Sequence, residues 1–314
     1  ADTQLGHLPP EVAVRLAWQS PTQPPPPPPP PTTGGKEKPQ PLETPLNADF
    51  PPDPPAPTPA QRGYWVGPRH LAGDDGRLYD AVADTLTGLG WTTLTIIRGR
   101  QEPDEGPEDR QVLRSTVLHI SPDTLRWAQW VLADEPFYLG DLPVAWQISA
   151  RQETNSPLAQ WSAYFTPDVP GEVLVDFLTA LDARDQPGLP LGGPEAVVDA
   201  VTAHGWIRDI DQPATAAIDP TFATHIRLGD VPALIQDADP RSLIREAYET
   251  GPAGWQAWAE PVLGARCLWV ASFSSSTPDD LVAAFAGSLS STAPVLRRVL
   301  PDSTQDRLLR APAT

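Results

Sequence analysis

Apolar positions fall into two rhythms along this chain, one of period close to 3.6 and one of period 2. Leu78, Val82, Leu86 and Leu89 stand at helical spacing, and Gly90 follows as a stop. Trp91-Thr92-Thr93-Leu94-Thr95-Ile96-Ile97 is β-branched and alternating, which predicts a strand, and residues 112–120 predict a second. Ser121-Pro122-Asp123 reads as a turn, with Pro setting φ. Residues 125–132 have apolar spacing that fits a third strand or a short helix. Trp146 and Trp161 lie on two further strands, and Val173, Leu174, Phe177, Leu178 and Leu181 make a helix that closes over them.

The second half repeats this order. Val197, Val198 and Val201 lie on a helix over 195–204, Gly205-Trp206 opens a strand, and residues 222–228 form the next. Residues 242–248 predict a short extra helix. The strands of Trp255 and Trp269 and a helix over 279–289 finish the half. Trp146 and Trp255 are 109 residues apart, whereas Trp161 and Trp269, Phe165 and Phe273, and Phe177 and Phe285 are 108 apart. Upstream, Gly90-Trp91 and Gly205-Trp206 are separated by 115. A period of this length is too long for a solenoid repeat of roughly 20–50 residues and suits a small domain.

The expected fold class is therefore α+β. Two tandem copies of a helix–antiparallel meander–helix module, each with its own small core, follow a disordered proline-rich leader. The expected boundaries are a short amphipathic segment at 1–18, a proline-rich linker at 19–62, a first module at 63–183, a linker at 184–194, a second module at 195–292 and a mildly basic tail at 293–314. Within the first segment Val12, Leu16 and Trp18 make one apolar side, either of a helix packed on the body or of a peptide that docks into a partner. Pro24 to Pro31 is unbroken and favours polyproline II, which makes it a semi-rigid spacer. PxxP spacing is present too, but eight consecutive prolines satisfy it by themselves.

Composition narrows the function classes. The chain has 314 residues and a formal charge of −18, which weighs against binding through a nucleic-acid backbone. Cys267 stands alone, so neither a disulfide framework nor a thiolate metal site is expected. No apolar run approaches the ~18 residues that span a bilayer, and no secretory signal pattern is seen. A cytoplasmic protein that does not bind membranes is the expectation.

The residues also carry a resemblance. Tyr64-Trp65-Val66-Gly67-Pro68-Arg69-His70-Leu71-Ala72-Gly73, the Ser121-Pro122-Asp123 turn, and the Trp…Trp-x-x-x-Phe…Thr-Pro-x-x-Leu-Val-x-x-Phe ending resemble domain of unknown function 317, the SPDY domain. It occurs in Streptomyces and related actinomycetes, often in two copies. The resemblance covers roughly residues 63–290 and implies no activity. The matching place in the second half is read as Arg227-Leu228-Gly229-Asp230, so the Ser-Pro-Asp turn is expected in the first copy alone.

No catalytic constellation emerges. Gly188-Leu189-Pro190-Leu191-Gly192-Gly193 lacks the Lys and Ser/Thr of a phosphate loop, no G-x-S-x-G elbow occurs, and the five histidines show no ligand spacing. No catalytic residue, metal site or cofactor is therefore expected. Candidate binding residues are of three kinds. Arg69 and His70, beside Trp65, form a turn able to hold an anion. His119 and His225 are read as lying on corresponding strands, as a shared binding surface or a shared internal hydrogen bond. Trp127, Trp130 and Trp258 have no counterpart in the other half, unlike the paired tryptophans that suit scaffold packing, and are the contact candidates. The leading expectation is a non-enzymatic adaptor that binds a protein partner through its sheet surfaces. The alternatives are a nucleic-acid-binding protein associated with mobile elements and an acidic chaperone of the secretion type.

Overall fold

The structure, a computed structural model, describes residues 15–17, 63–100, 112–131, 138–156, 158–229, 254–262 and 266–313. These belong to one compact unit. The leader, the acidic stretch 103–109 and the helix expected at 242–248 lie outside the described residues, as does most of the N-terminal amphipathic segment.

In chain order the elements begin with strand β1 (Arg15–Ala17), β2 (Tyr64–Gly67), a 3-10 turn at Arg69–Leu71 and helix α1 (Leu78–Gly88). Then come β3 (Thr92–Arg100), β4 (Val112–Ile120), β5 (Arg126–Trp130), the short β6 (Tyr138–Leu139) and β7 (Leu142–Pro143), β8 (Trp146–Ala150), β9 (Trp161–Phe165) and α2 (Gly171–Asp182). The second arm runs α3 (Pro194–Thr202), β10 (Ile207–Arg208), β11 (Ala216–Ile218), β12 (Thr224–Leu228), β13 (Trp255–Ala259), β14 (Trp269–Phe273) and α4 (Asp279–Ser290). It is followed by β15 (Val295–Arg297), a 3-10 turn at Gln305–Arg307 and β16 (Leu309–Pro312). The class is α+β. The ambiguous stretch 125–132 is a strand over its described part, because its side chains alternate between the two faces of a sheet.

Eleven strands form one antiparallel sheet in the order β1-β3-β4-β5-β8-β9-β14-β13-β12-β11-β10. Its centre is the pairing of β9 with β14, the last strand of each arm. There Phe165 stands opposite Ala271, Tyr164 opposite Ser272, and Ala163 opposite Phe273. Since Phe165 and Phe273 are counterparts in the sequence repeat, as are Ala163 and Ala271, the register is that of a local two-fold axis between Tyr164 and Ser272. The four described helices stack on one side. On that axis Phe165, Phe177, Phe273 and Phe285 meet, with centroids 5.6 Å apart for Phe165–Phe273, 5.8 Å for Phe165–Phe285 and 5.8 Å for Phe177–Phe273. Edge-on and tilted pairs of this kind add to the stabilisation from buried area.

This seam corrects the expectation of two small separate cores. Buried side chains from both arms form one cluster, because the repeated Phe residues point into each other across the axis. The C-terminal segment is likewise not a free tail. β15 and β16 flank β2 in a three-stranded sheet, so residues from the two ends of the described body pair directly.

The repeated glycines have one local reason. Gly90 and Gly205 end α1 and α3 with φ of +80° and +89°, a conformation glycine adopts without a Cβ penalty. The following N–H of Trp91 and of Trp206 then donates back to Leu86 and Val201, setting each Trp against the core.

Candidate binding surface

Cross-strand register divides the large sheet into two faces. Trp146, Phe165, Phe273 and Trp255 face the helices and are buried. The opposite face carries Trp127, Gln129, Gln147, Tyr164, Gln256, Trp258 and His225, all partly exposed. Ser149 and Ser272 lie between these larger groups and are buried by them. His225 stands opposite Trp258, and their rings stack at 4.9 Å with planes 9° apart. Burial lowers the His225 pKa, against the pull of Glu260 and Asp219, so the ring on this stack is held towards its neutral form. Arg227, two residues further along β12, is exposed.

The other sequence candidates have structural surroundings. His119 faces the helices, is 1% exposed, shares a 3.0 Å hydrogen bond with Thr93 Oγ1 and lies 5.8 Å from the Trp146 ring. Burial lowers its pKa. Trp130 is on the same side, edge-on to Trp146 at 5.2 Å and to Tyr79 at 5.3 Å. Arg69 donates to the Ser288 carbonyl at 3.1 Å and hydroxyl at 2.8 Å and lies 3.5 Å from Asp176, so it clasps α4 to α2. His70 is buried, edge-on to Trp206 at 5.3 Å, with Nε2 3.7 Å from Asp219, and its carbonyl accepts the Trp269 indole N–H at 2.9 Å. Trp65 is exposed on the outer face of the three-stranded sheet, opposite Leu296 and Ala311. The eight candidates are thus distributed, and the large sheet's open face brings together Trp127, His225 and Trp258.

Two turns decide how the arms correspond. In the first, the Ser121 N–H donates to the Arg126 carbonyl, the Arg126 N–H returns to Ser121 Oγ at 3.0 Å, and Ser121 Oγ donates to Asp123 at 2.6 Å. Burial works against the Asp123 charge, but the hydrogen bonds from Ser121 and Leu125 and the Arg126 guanidinium outweigh it and hold the carboxyl below its usual range. Arg126, 5% exposed, then reaches the carbonyls of Leu181 and Arg184 at the end of α2. Arginine donors at the electronegative end of a helix are stabilising. The same turn occurs in the second arm at Asp219-Pro220-Thr221. The Asp219 N–H donates to the Thr224 carbonyl, and Asp219 Oδ2 accepts from Thr224 N at 2.5 Å and Ala223 N at 2.7 Å. Thr124 and Phe222, each the fourth residue of its turn, share the uncommon φ of 60° and 58°.

Residues 120–188 and 238–295 each match SPDY, a domain of unknown function (DUF317). Each SPDY segment contains the strand–strand–helix that meets at the central seam. No curated protein and no solved structure matches the chain. The second SPDY segment begins downstream of its turn, and the stretch from turn to first Trp strand is eleven residues longer there than in the first arm. That difference accounts for two corrections. The counterpart of Ser121-Pro122-Asp123 is Asp219-Pro220-Thr221, not the 227–230 stretch. And β12 corresponds to β5, not β4, so His225 matches Trp127 while His119 matches Ala217. The two histidines do not lie on corresponding strands.

Asp219 is fully buried with His70, and its own turn supplies its donors. Burial opposes its charge, but the nearby His70 ring and the hydrogen bonds from Thr221 depress its pKa far below the usual value. A cleft of about 520 Å³ lies beside Arg69, Asp74, Arg77, Glu172 and Arg298, yet Arg297 and Glu172 there pair bidentately at 2.6 and 2.7 Å. Among the described residues no group of three His, Cys, Asp or Glu could hold a metal ion. Nor is any described helix long and apolar enough to cross a membrane.

Proposed function

We propose that this chain is a non-enzymatic adaptor that binds a protein partner through the open face of its eleven-stranded sheet. The observation that carries the reading is where the charge sits. The chain has 40 acidic residues, yet no described strand of the large sheet contains Asp or Glu. The four described helices all carry acids and none of them carries Lys or Arg. Strands disfavour Asp and, less strongly, Glu, which accounts for part of the asymmetry. Arginine is nevertheless retained in strands, as at Arg227. A partly exposed sheet face whose described strands carry Trp, Tyr and Arg and no carboxylate, with Glu260 just past the end of β13, has the composition of the core of a protein interface, where charged residues are depleted and aromatics and Arg enriched. The acidic helical layer on the other side supplies solubility.

The test is to capture a partner on the full chain from lysate after nuclease treatment and footprint the complex by amide hydrogen exchange. Protection over β5, β8 and β13 supports the reading. Protection confined to the helices or the three-stranded sheet contradicts it.

A further inference from the structure

Apart from the open sheet face, we infer that the cleft between the start of α1, the start of α2 and β15 binds a small zwitterion, a free α-amino acid with an apolar side chain. The two arms differ at this place. In the second arm Asp279, at the start of α4, accepts the Trp255 indole N–H at 2.8 Å, and Arg184 holds Asp280 at 2.6 Å. In the first arm Arg297 and Glu172 repeat the second contact at 2.6 Å. The counterpart of Asp279, however, is Gly171, and the buried indole nitrogen of Trp146 has no partner. A Cβ on Gly171 would stand 3.7 Å from Ala81 Cβ and 3.8 Å from Asp74 Oδ1, both ordinary contacts, so crowding does not impose the glycine. One arm is thus closed by its own carboxylate. The other is open as a cleft of about 520 Å³, within the ~300–1,000 Å³ of small-molecule sites.

The unpaired groups decide the class of ligand. Arg297 is paired with Glu172, and Arg69 lies against Asp176, so the lining keeps two guanidinia, Arg77 and Arg298, and two carboxylates, Asp74 and Asp75. Both of these arginines are exposed, and among the described residues neither guanidinium has a hydrogen bond or ion pair. Asp74 Oδ2 accepts from the N–H groups of Gly76 at 2.8 Å and Leu78 at 3.1 Å, which leaves Oδ1 as an acceptor. Burial outweighs those two bonds and raises the Asp74 pKa, an effect that an ammonium group at Oδ1 opposes. An anion alone meets Asp74 and Asp75, and a cation alone meets Arg77 and Arg298. A ligand carrying both charges suits both pairs. Ala81, Val175 and Leu296 give the same cleft an apolar wall for a side chain.

The experiment titrates L-leucine and L-phenylalanine into the full chain by isothermal calorimetry. N-acetyl-L-leucine lacks the ammonium group, as the C-terminus of a peptide does, and L-leucinamide lacks the carboxylate, as an N-terminus does; both are titrated beside them. Saturable binding of at least one free amino acid is expected, with each derivative weaker by roughly tenfold or more, since each loses a charge-assisted contact. Arg298→Ala, at an exposed side chain, should weaken binding to a similar degree. So should Asp74→Asn, which keeps an acceptor for the N–H groups of Gly76 and Leu78. Gly171→Asp gives the first arm the residue of the second and should abolish binding. Circular dichroism checks that each variant folds, and if Gly171→Asp does not, Arg298→Ala carries the test. Absence of saturable binding by both amino acids, equal binding of either derivative, or binding indifferent to Arg298→Ala and Asp74→Asn overturns the inference.

Discussion

Phe165 and Phe273 meet edge to face across the centre of the sheet, 5.6 Å apart with ring planes at 84°. Each comes from the last strand of its arm, and each also touches the helix of the other arm, Phe165 reaching Phe285 and Phe273 reaching Phe177. The two arms therefore share their most buried aromatic cluster. Neither arm can lose it without exposing the other.

It follows that the arms unfold together. Urea denaturation followed by tryptophan fluorescence and by circular dichroism should give one coincident transition. Phe273→Ala should lower stability by about 3–5 kcal/mol through lost burial and the cavity left behind, without splitting the transition. Two separated transitions would contradict a shared core.

The Arg126 clamp makes a second claim. Its guanidinium is buried beneath the end of α2 and paired with Asp123. Arg126→Met removes the donors to these carbonyls and leaves Asp123 without its partner, and should cost about 3 kcal/mol. Ser121→Ala, which unmakes the turn's hydroxyl bonds, should cost about 1–3 kcal/mol. Chemical denaturation of the two variants measures both.

Acid sensitivity should trace in part to Asp219. Its folded pKa lies far below the unfolded value of about 3.9, so the folded state resists protonation. The stability it contributes is fully present above about pH 4 and is lost progressively as pH falls below that value towards the folded pKa. Asp219→Asn places amide hydrogens among the N–H groups of Ala223 and Thr224. It should be less stable than the wild type at pH 7 and show a shallower loss between pH 4 and pH 2. Thermal melts across that range decide it; parallel curves would count against the assignment.

The buried imidazole of His119 should act higher on the pH scale. Its pKa is lowered by burial, so the unfolded state takes up a proton first, near pH 6.5, and folding stability declines as pH falls below that point. His119→Gln should flatten this part of the stability profile.

Much of this was readable from the residues. Trp146, Trp161, Trp255 and Trp269 fell on strands in matching positions, and Phe177 and Phe285 on matching helices, because alternation and helical spacing report burial directly. The seam was not readable, since the pairing of β9 with β14 joins residues 106 to 110 apart and no local pattern encodes it. The match of His225 to Trp127 was hidden for another reason. The second arm carries eleven extra residues before β13, and two His-Ile pairs suggested a false alignment across them. The positive φ shared by Thr124 and Phe222 revealed the true one. The open face was legible only in part: Trp127 and Trp258 stood out as unmatched, but that no described strand carries an acid depends on knowing where the strands begin and end.

The account turns on whether the open face does the binding. The most direct measurement is nuclease-treated affinity capture with the full chain and with its Trp127→Ala/Trp258→Ala double variant, side by side, after thermal melts show both folded. The account predicts a protein retained by the first and lost from the second. Equal capture by both would contradict it.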